Sequence, residues 1–185
     1  MNYYLKTILL GLCVGMMIGK TYGQAWKPIT ASVTFKVKMF GVAVEGSFKG
    51  LAGSIQFDPE HLNKASIMAS IDTRTLDTDN SLRNKHLREK EEFFNVAKYP
   101  SITMKSTKIE KTAEGFVGYF DLTIKSVTKN VKVPFRFTPN GTNATFAGTF
   151  TINRREWEVG GGTLGMSNDV SVTILVNTQS IPQQP

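Results

Sequence analysis

The sequence predicts an all-β protein, an antiparallel eight-stranded barrel with one α-helix that caps an end. Apolar and polar residues alternate with a period of two along most of the chain, which is typical of strands that bury one face. Short turns join most of these runs, which favours an antiparallel sheet. A single charged, helical segment interrupts the alternation. Because closure into an up-and-down barrel removes exposed strand edges, we expect these long strands to close.

Residues 1–23 are predicted to be a cleavable signal peptide and not part of the fold. Lys6 supplies a positive charge, the apolar run TILLGLCVGMMIG follows at residues 7–19, and Gly23 is a small residue at the cleavage point. The apolar run is shorter than the about 20 residues that a membrane-spanning helix needs. We therefore expect an exported protein, periplasmic or extracellular, that begins at Gln24.

Removal of the signal peptide changes the chemistry of the chain. Cys13 is the only cysteine, so the mature chain has no disulfide, no thiolate nucleophile and no cysteine-based metal site. Loss of Lys6 and Lys20 lowers the formal charge from +7 by two, to +5. Export argues against nucleic acid as a partner. The remaining positive charge fits either a solvated surface of scattered lysines or weak attraction to an anionic membrane surface.

Three strands are predicted before the helix. The first covers residues 31–39, where alternate apolar residues share one face. Between residues 42 and 57 the apolar phase slips by one residue beside Gly50, so we predict a single bent strand with a β-bulge there. The third strand covers residues 64–73, and a polar connection leads from it to the helix.

The helical segment lies within SLRNKHLREKEEFFNVAKY, and the helix itself is predicted near residues 80–92. Leu82, His86 and Leu87 fall on one side of such a helix. Pro100 cannot continue it. A single helix among strands needs a surface to pack against, so we place it over one open end of the barrel. The residues that can cap its first turn are Asp79, Asn80 and Ser81.

Five further strands are predicted after the helix. They cover residues 102–109, 116–124, 131–137, 146–152 and 170–176. A strong turn, PNG, separates the third and fourth of these strands, and a loop with three consecutive glycines precedes the last. We assign residues 24–178 to one barrel domain and residues 179–185 to a flexible tail.

The inward faces of the predicted strands combine large and very small side chains. An eight-stranded barrel has room for its own side chains or for one small ligand, so the small residues have two explanations. They fit the taper of a filled barrel, or they leave an elongated apolar cavity. Such a cavity suits a chain-like lipid, because each buried CH₂ contributes about 0.8 kcal/mol. The large residues are Phe35, Phe48, Phe116, Phe120, Phe135, Phe146 and Phe150, and the small ones are Gly46, Ala65, Ala69, Gly118 and Gly148.

Several short motifs follow one another along the chain. They are GLAGSIQFD at residues 50–58, RNKHL at 83–87, FFNV at 93–96 before a Tyr-Pro pair, LTI and VTK between 122 and 129, and INR at 152–154. With these motifs the sequence resembles the YceI-like family of exported polyisoprenoid-binding proteins over nearly all of residues 31–176. It departs from the family pattern at Asn84 and Asn95, where aspartate is usual, at Ser126, where glycine is usual, and at Trp157 and Glu158, near a usual aspartate-phenylalanine-glycine.

The resemblance implies a lipocalin-like barrel that holds an isoprenoid chain and performs no catalysis. The predicted mouth residues, which would meet the polar head of the ligand, are Arg83, His86 and Leu87. A guanidinium suits a phosphate or carboxyl group because it donates two parallel hydrogen bonds. Alternatively, Arg83 pairs with a structural acid and His86 packs against the barrel rim. The predicted interior contacts are Phe35, Val37, Phe48, Ile67, Phe116, Gly118, Phe120, Phe135, Phe146 and Gly148.

Little in the sequence favours an enzyme or a metal site. His61 and His86 lie in different predicted elements, and a metal site would need both of them plus a carboxylate such as Asp72 or Asp77. The motif G-x-S-x-G is absent, and the inward phases of the strands offer essentially no acidic residues. The consecutive glycines lack the following lysine and helix of a phosphate-binding loop. We predict no metal, no cofactor and no catalytic residue.

Three hypotheses about function follow from these observations. The first is an exported carrier, storage or scavenging protein for an isoprenoid or similar long-chain lipid, monomeric or homodimeric and with a link to stress. The second is an enzyme that acts on such a lipid, with His86 and Arg83 as catalytic groups. The third is a filled barrel that serves as a secreted interaction module. The sequence favours the first.

Overall fold

The structure is a computed structural model that describes residues 23–182. The signal peptide predicted for residues 1–23 therefore lies outside the described residues, apart from Gly23, and so do residues 183–185 of the predicted tail.

The described residues form a closed antiparallel barrel with one α-helix, which confirms the predicted fold class. β2 and β3 both pair with β1, one after the other, so they share one position and the barrel has eight strand positions. Pairing of β1 with β9 closes it. The strands are β1 (Ala25–Met39), β2 (Val42–Phe48), β3 (Ala52–Gln56), β4 (Ser66–Asp72), β5 (Ser101–Thr112), β6 (Gly115–Ile124), β7 (Val127–Asn140), β8 (Asn143–Asn153) and β9 (Met166–Ser180), and the helix is α1 (Ser81–Glu89).

The single bent strand predicted for residues 42–57 is interrupted at residues 49–51. Gly50 lies in this interruption with a φ of 71°, a left-handed conformation that glycine adopts without steric cost. β2 does not continue beside β4. Instead, Ser47 and Asp77 exchange two backbone hydrogen bonds of 2.8 and 2.9 Å. The predicted bulge is therefore a full break, and it brings the segment that precedes α1 alongside β2.

The ends of several strands differ from the prediction. β1 begins at Ala25 and not at residue 31, because its first part pairs with the end of β9. β9 continues to Ser180, and Gln179 pairs with both Lys27 and Asn143. Gln179 and Ser180, which the prediction assigned to the tail, therefore belong to β9.

Helix α1 begins where the sequence predicts and ends earlier. Among the candidate caps, Asn80 has this role, because its Oδ1 accepts the Arg83 backbone N–H at 2.9 Å. The helix ends at Glu89 and not near residue 92, because Lys90 adopts an extended conformation. Asn95 follows in a turn with a φ of 43°. No helix in residues 23–182 is long and apolar enough to cross a membrane.

One end of the barrel is filled by aromatic side chains. Phe57 is fully buried, and its ring centroid lies between 5.0 and 5.7 Å from four other rings. The indole N–H of Trp26 donates to the Phe57 carbonyl at 2.9 Å. This aromatic end consists of Trp26, Phe57, Phe116, Phe135, Phe137 and Phe146. A second core cluster, which includes Phe48, Leu122, Phe150 and Ile152, surrounds the other end, over which α1 lies.

Candidate functional site

An apolar cavity of about 440 Å³ occupies the half of the barrel beneath α1. Its volume is within the roughly 300–1,000 Å³ that is usual for ligand pockets. The inward faces of β1, β4, β5, β8 and β9 supply most of its wall. The wall residues on these strands include Val33, Phe35, Val37, Ile71, Ile102, Met104, Phe150, Ile152, Val170 and Val172.

A second, smaller cavity of about 80 Å³ lies next to the first on the side of the aromatic end. The two cavities are adjacent, because four residues line both. These residues are Leu51, Ala69, Met104 and Ile174. The barrel is thus neither fully open nor fully filled. Its side chains leave a cavity in the half beneath α1, and they fill the half at the aromatic end.

Most of the predicted interior contacts line one of these cavities. Those on the main cavity are Phe35, Val37 and Phe48, and those on the smaller one are Ile67, Phe120, Phe135, Phe146 and Gly148.

The structure departs from the prediction at Phe116 and Gly118, which line neither cavity. Phe116 packs edge to face against Phe57 in the aromatic end. A Cβ at Gly118 would lie 2.2 Å from Cε2 of Phe120, so the Phe120 ring already fills the space above this glycine. Gly118 therefore makes room for a side chain of the protein and not for a ligand.

All three predicted mouth residues, Arg83, His86 and Leu87, line the main cavity from α1. His86 is exposed, so it is not a packed helix histidine. The Arg83 guanidinium donates from Nε to Thr78 Oγ1 at 2.8 Å and from Nη2 to the Thr78 carbonyl at 2.5 Å. Within residues 23–182 no carboxylate lies within 4 Å of it, so Arg83 does not pair with a structural acid.

Asn84, where the family usually has aspartate, orders the chain before the helix. The side chain is buried, and its Oδ1 accepts from the Thr78 backbone N–H at 2.9 Å and the Thr78 hydroxyl at 2.6 Å. Its Nδ2 donates to Asp77 Oδ1 at 2.8 Å. This hydrogen bond is the main cause that lowers the pKa of Asp77, with a second contribution from the Asp79 backbone N–H. The amide therefore keeps Thr78 where it can accept from Arg83.

Arg154 is a cavity residue to which the sequence analysis assigned no role. It lines the main cavity, yet its side chain is only 4 % exposed. Its guanidinium donates to four backbone carbonyls: from Nε to Ser167 at 2.8 Å, from Nη1 to Val159 at 2.7 Å and Gly161 at 3.1 Å, and from Nη2 to Met166 at 3.1 Å. Burial lowers its pKa, and the like charge of Arg155 adds to the effect. A period of two from Ile152 would have placed it on the inward face.

The described residues contain no group of three histidine, cysteine, aspartate or glutamate side chains that could hold a metal ion. His61 Nδ1 lies 2.8 Å from Asp58 Oδ2 in the turn after β3, whereas His86 lies at the cavity mouth. The two histidines are therefore in different parts of the molecule. Asp58 has a lowered pKa, because it accepts hydrogen bonds from the Glu60 backbone N–H and from His61.

Comparison with known proteins places this barrel in a family. A UPF0312 protein of Yersinia enterocolitica is 36 % identical over 141 residues, which span 72 % of this chain and 73 % of that protein. The crystal structure of Burkholderia cenocepacia BcnA has a TM-score of 0.74 and 28 % identity, with coverage of 80 % of this chain and 95 % of that one. A polyisoprenoid binding domain from Saccharophagus degradans, implicated in plant cell wall breakdown, has a TM-score of 0.66 at 15 % identity and covers 87 % and 100 % of the two chains. The model of the YceI-like domain family matches residues 25–178, and the chain therefore belongs to this family.

Proposed function

We propose that this chain is an exported, non-enzymatic protein that holds an isoprenoid or similar long-chain lipid inside its barrel. The observation that carries the proposal is the apolar cavity of about 440 Å³ under α1, with the smaller cavity adjoining it. A lipid tail gains about 0.8 kcal/mol for each CH₂ that leaves water, without any need for directional contacts. The Saccharophagus degradans domain, which is described as binding polyisoprenoid, supports this ligand class through a shared fold.

The arrangement of polar groups gives the ligand a direction. Arg83 and His86 lie at the mouth, whereas the opposite end of the barrel is closed by aromatic rings. The head of the lipid is therefore at α1, and Leu87 packs against the first part of the tail. The end of the tail points past Leu51 and Met104 toward the smaller cavity.

A binding role without catalysis is supported by what lines the main cavity. His86 is its only histidine, and the lining within the described residues includes no aspartate or glutamate that could orient this imidazole as a general base. The hypothesis of an enzyme that uses His86 and Arg83 therefore has no specific observation in its favour. Carrier, storage and scavenging roles, including one under stress, all use the same cavity.

The end of the barrel where the cavity opens is apolar on its outside, which supports transient contact with a membrane surface. The four most exposed large apolar side chains of the described residues are at this end; they are Phe40, Val42, Leu82 and Leu164, and we call them the apolar rim. Their neighbours Met39, Val44 and Met166 line the cavity, as does Leu82 itself. The Phe40 backbone N–H donates to the Gly165 carbonyl at 2.7 Å and joins the two loops of the rim. Without residues 1–23, which contain Lys6 and Lys20, the formal charge of +7 falls by two to +5, and an anionic membrane is the favoured partner of such a basic chain.

The test of lipid binding is mass spectrometry of an organic extract from the purified protein, produced with its N-terminal segment in a bacterial host. We expect a long-chain lipid in stoichiometric amount. Ala69→Phe places a ring where the two cavities meet and should reduce the yield of lipid, whereas Leu175→Phe adds a ring on the exposed outer face and should not. A clean blank from the wild type, repeated after incubation with isoprenoid quinones and polyprenyl phosphates, would overturn the proposal.

A further inference from the structure

The residues that line the main cavity include positive charges and no negative one. Arg83 and Arg154 are the only residues with a permanent charge that line it, and the lining within residues 23–182 includes no aspartate or glutamate. Neither guanidinium takes part in any ion pair among the described residues. A buried or half-buried cation normally has an anionic partner, because its transfer out of water is costly. The absence of an anionic side chain beside Arg83 and Arg154 therefore suggests that the ligand supplies the anion.

The carbonyls around Arg154 satisfy its hydrogen bonds but not its charge. A guanidinium has five N–H groups, and four of them donate to the carbonyls of Val159, Gly161, Met166 and Ser167. One N–H of Nη2 remains, and the four carbonyl dipoles leave the net charge at +1. Arg83 resembles it in this respect, because both of its acceptors are neutral oxygens of Thr78. Each guanidinium is thus held in place by neutral oxygens, several of them from residues of the cavity wall, and retains its charge.

We infer that the cavity selects amphiphiles with an acidic head group, a carboxylate or a phosphate, and that Arg154 together with Arg83 recognises that head. This inference rests on the lipid-binding function proposed above and names the chemical class of the head. A hydrogen bond from a guanidinium to an ionised acid adds the attraction of opposite charges, so an acid gains more here than an alcohol or a quinone with the same tail. A cationic head would be repelled.

The test uses three ligands that share one tail: geranylgeraniol, geranylgeranoic acid and geranylgeranyl monophosphate. The protein is freed of lipid and titrated with each at pH 7, and the three dissociation constants are compared. We expect at least one acidic ligand to bind about tenfold more tightly than the alcohol, a difference of about 1.4 kcal/mol. Tighter binding of the phosphate alone assigns the site to phosphate heads, and tighter binding of the carboxylate alone assigns it to carboxylate heads.

Two results of this titration would distinguish a failure of the head-group inference from a failure of the lipid-binding proposal. If the alcohol binds as tightly as both acids, the head-group inference is wrong while the lipid-binding proposal stands. If none of the three ligands binds, both fail. The comparison needs no altered protein, so it holds even if a variant does not fold.

Substitutions then assign the preference to particular residues. Arg154→Met should abolish most of the preference for the acids, measured as the ratio of acid to alcohol affinity within the variant, and Arg154→Lys, which keeps the charge, should restore part of that ratio. Arg83→Gln should have the same direction of effect. Lys85→Gln removes an exposed cation from α1 that does not line the cavity, and should leave the preference intact. If a folded Arg154→Met and Arg83→Gln both retain the full preference, these residues do not recognise the head.

Discussion

The side chain of Asn84 joins the segment before α1 to the helix. Its oxygen accepts two hydrogen bonds from Thr78, and its nitrogen donates one to Asp77. Because the Thr78 hydroxyl donates to Asn84, its lone pairs are free to accept from Arg83 Nε. One buried amide thus helps to position the guanidinium of Arg83, to which it donates no hydrogen bond itself.

This network predicts the effect of Asn84→Asp, which restores the residue usual in the family. A carboxylate at this position would face Asp77 without a donor between them, so the pKa of one of the two acids would rise in the folded state. We expect the melting temperature to fall by roughly 5 °C at pH 7. Since a raised carboxyl pKa costs stability in full above the raised value and nothing below the ordinary one, the loss should shrink as the pH falls toward 4.

The control is the double variant Asp77→Asn with Asn84→Asp, in which an amide again donates to a carboxylate and stability should largely return. In the wild type the pKa of Asp77 is lowered, so its contribution to stability is present above the ordinary carboxyl pKa and is lost as the pH falls through the lowered value. Equal thermal stability of Asn84→Asp and wild type at pH 7 would show that the amide donor is unimportant.

At the level of residues, the sequence predicts whether a side chain points into or out of the barrel better than it predicts which atoms that side chain contacts. The period of two placed Gly118 correctly on the inward face, but the ring of Phe120 folds over it, and this depends on a rotamer and on neighbours from other strands. The helical period placed Leu82, His86 and Leu87 on one side of α1, and all three line the cavity, whereas Arg83 is a predicted mouth residue without support from that period. Arg154 fell on the inward phase, yet its burial depends on four carbonyls of the loop that follows, which no local pattern reveals.

At the level of elements, the break between β2 and β3 decides where α1 lies. The slip in apolar phase located the break, because one extra residue moves every later side chain to the other face. The pairing of Ser47 with Asp77 could not be predicted, since the two residues are thirty positions apart in the sequence. It is also an isolated bridge, so the segment around Asp77 does not show the alternation of a regular strand. Thr75 fixes the corner, with its hydroxyl 3.0 Å from both the backbone nitrogen and the carbonyl oxygen of Lys49.

The conformation of Gly50 predicts a substitution pattern at this corner. A Cβ at Gly50 would meet no atom within 4 Å, so any cost of substitution comes from the left-handed backbone alone. We expect Gly50→Val to lower the free energy of unfolding by about 1–2 kcal/mol, and Gly50→Asn, which tolerates this conformation, to cost less. Urea denaturation of the two variants measures the difference. If asparagine costs as much as valine, sterics and not backbone conformation limit this position.

At the level of the whole molecule, the two halves of the barrel have different tasks. A fully buried phenylalanine contributes roughly 1.5–3 kcal/mol, and the aromatic end concentrates such side chains in one place. That stabilisation offsets the apolar surface left uncovered in the cavity half. The sequence shows the mixture of large and small residues but not how it divides between the halves, because antiparallel pairing brings the starts of some strands next to the ends of others.

The position of the apolar rim predicts how a lipid enters this cavity. If the rim contacts a membrane, the double variant Val42→Glu with Leu164→Glu should slow lipid uptake from phosphatidylglycerol vesicles on the order of tenfold, because it removes apolar area and adds charge that an anionic surface repels. Neither residue lines the cavity, so the final amount of bound lipid should not change.

Ile29→Glu is the matched control, since this side chain is 56 % exposed on β1 at the aromatic end. An equal slowing by Ile29→Glu, or none by the double variant, would rule out the rim as the membrane contact. A change from dimer to monomer without any effect on uptake would identify it as a contact between two copies of the chain.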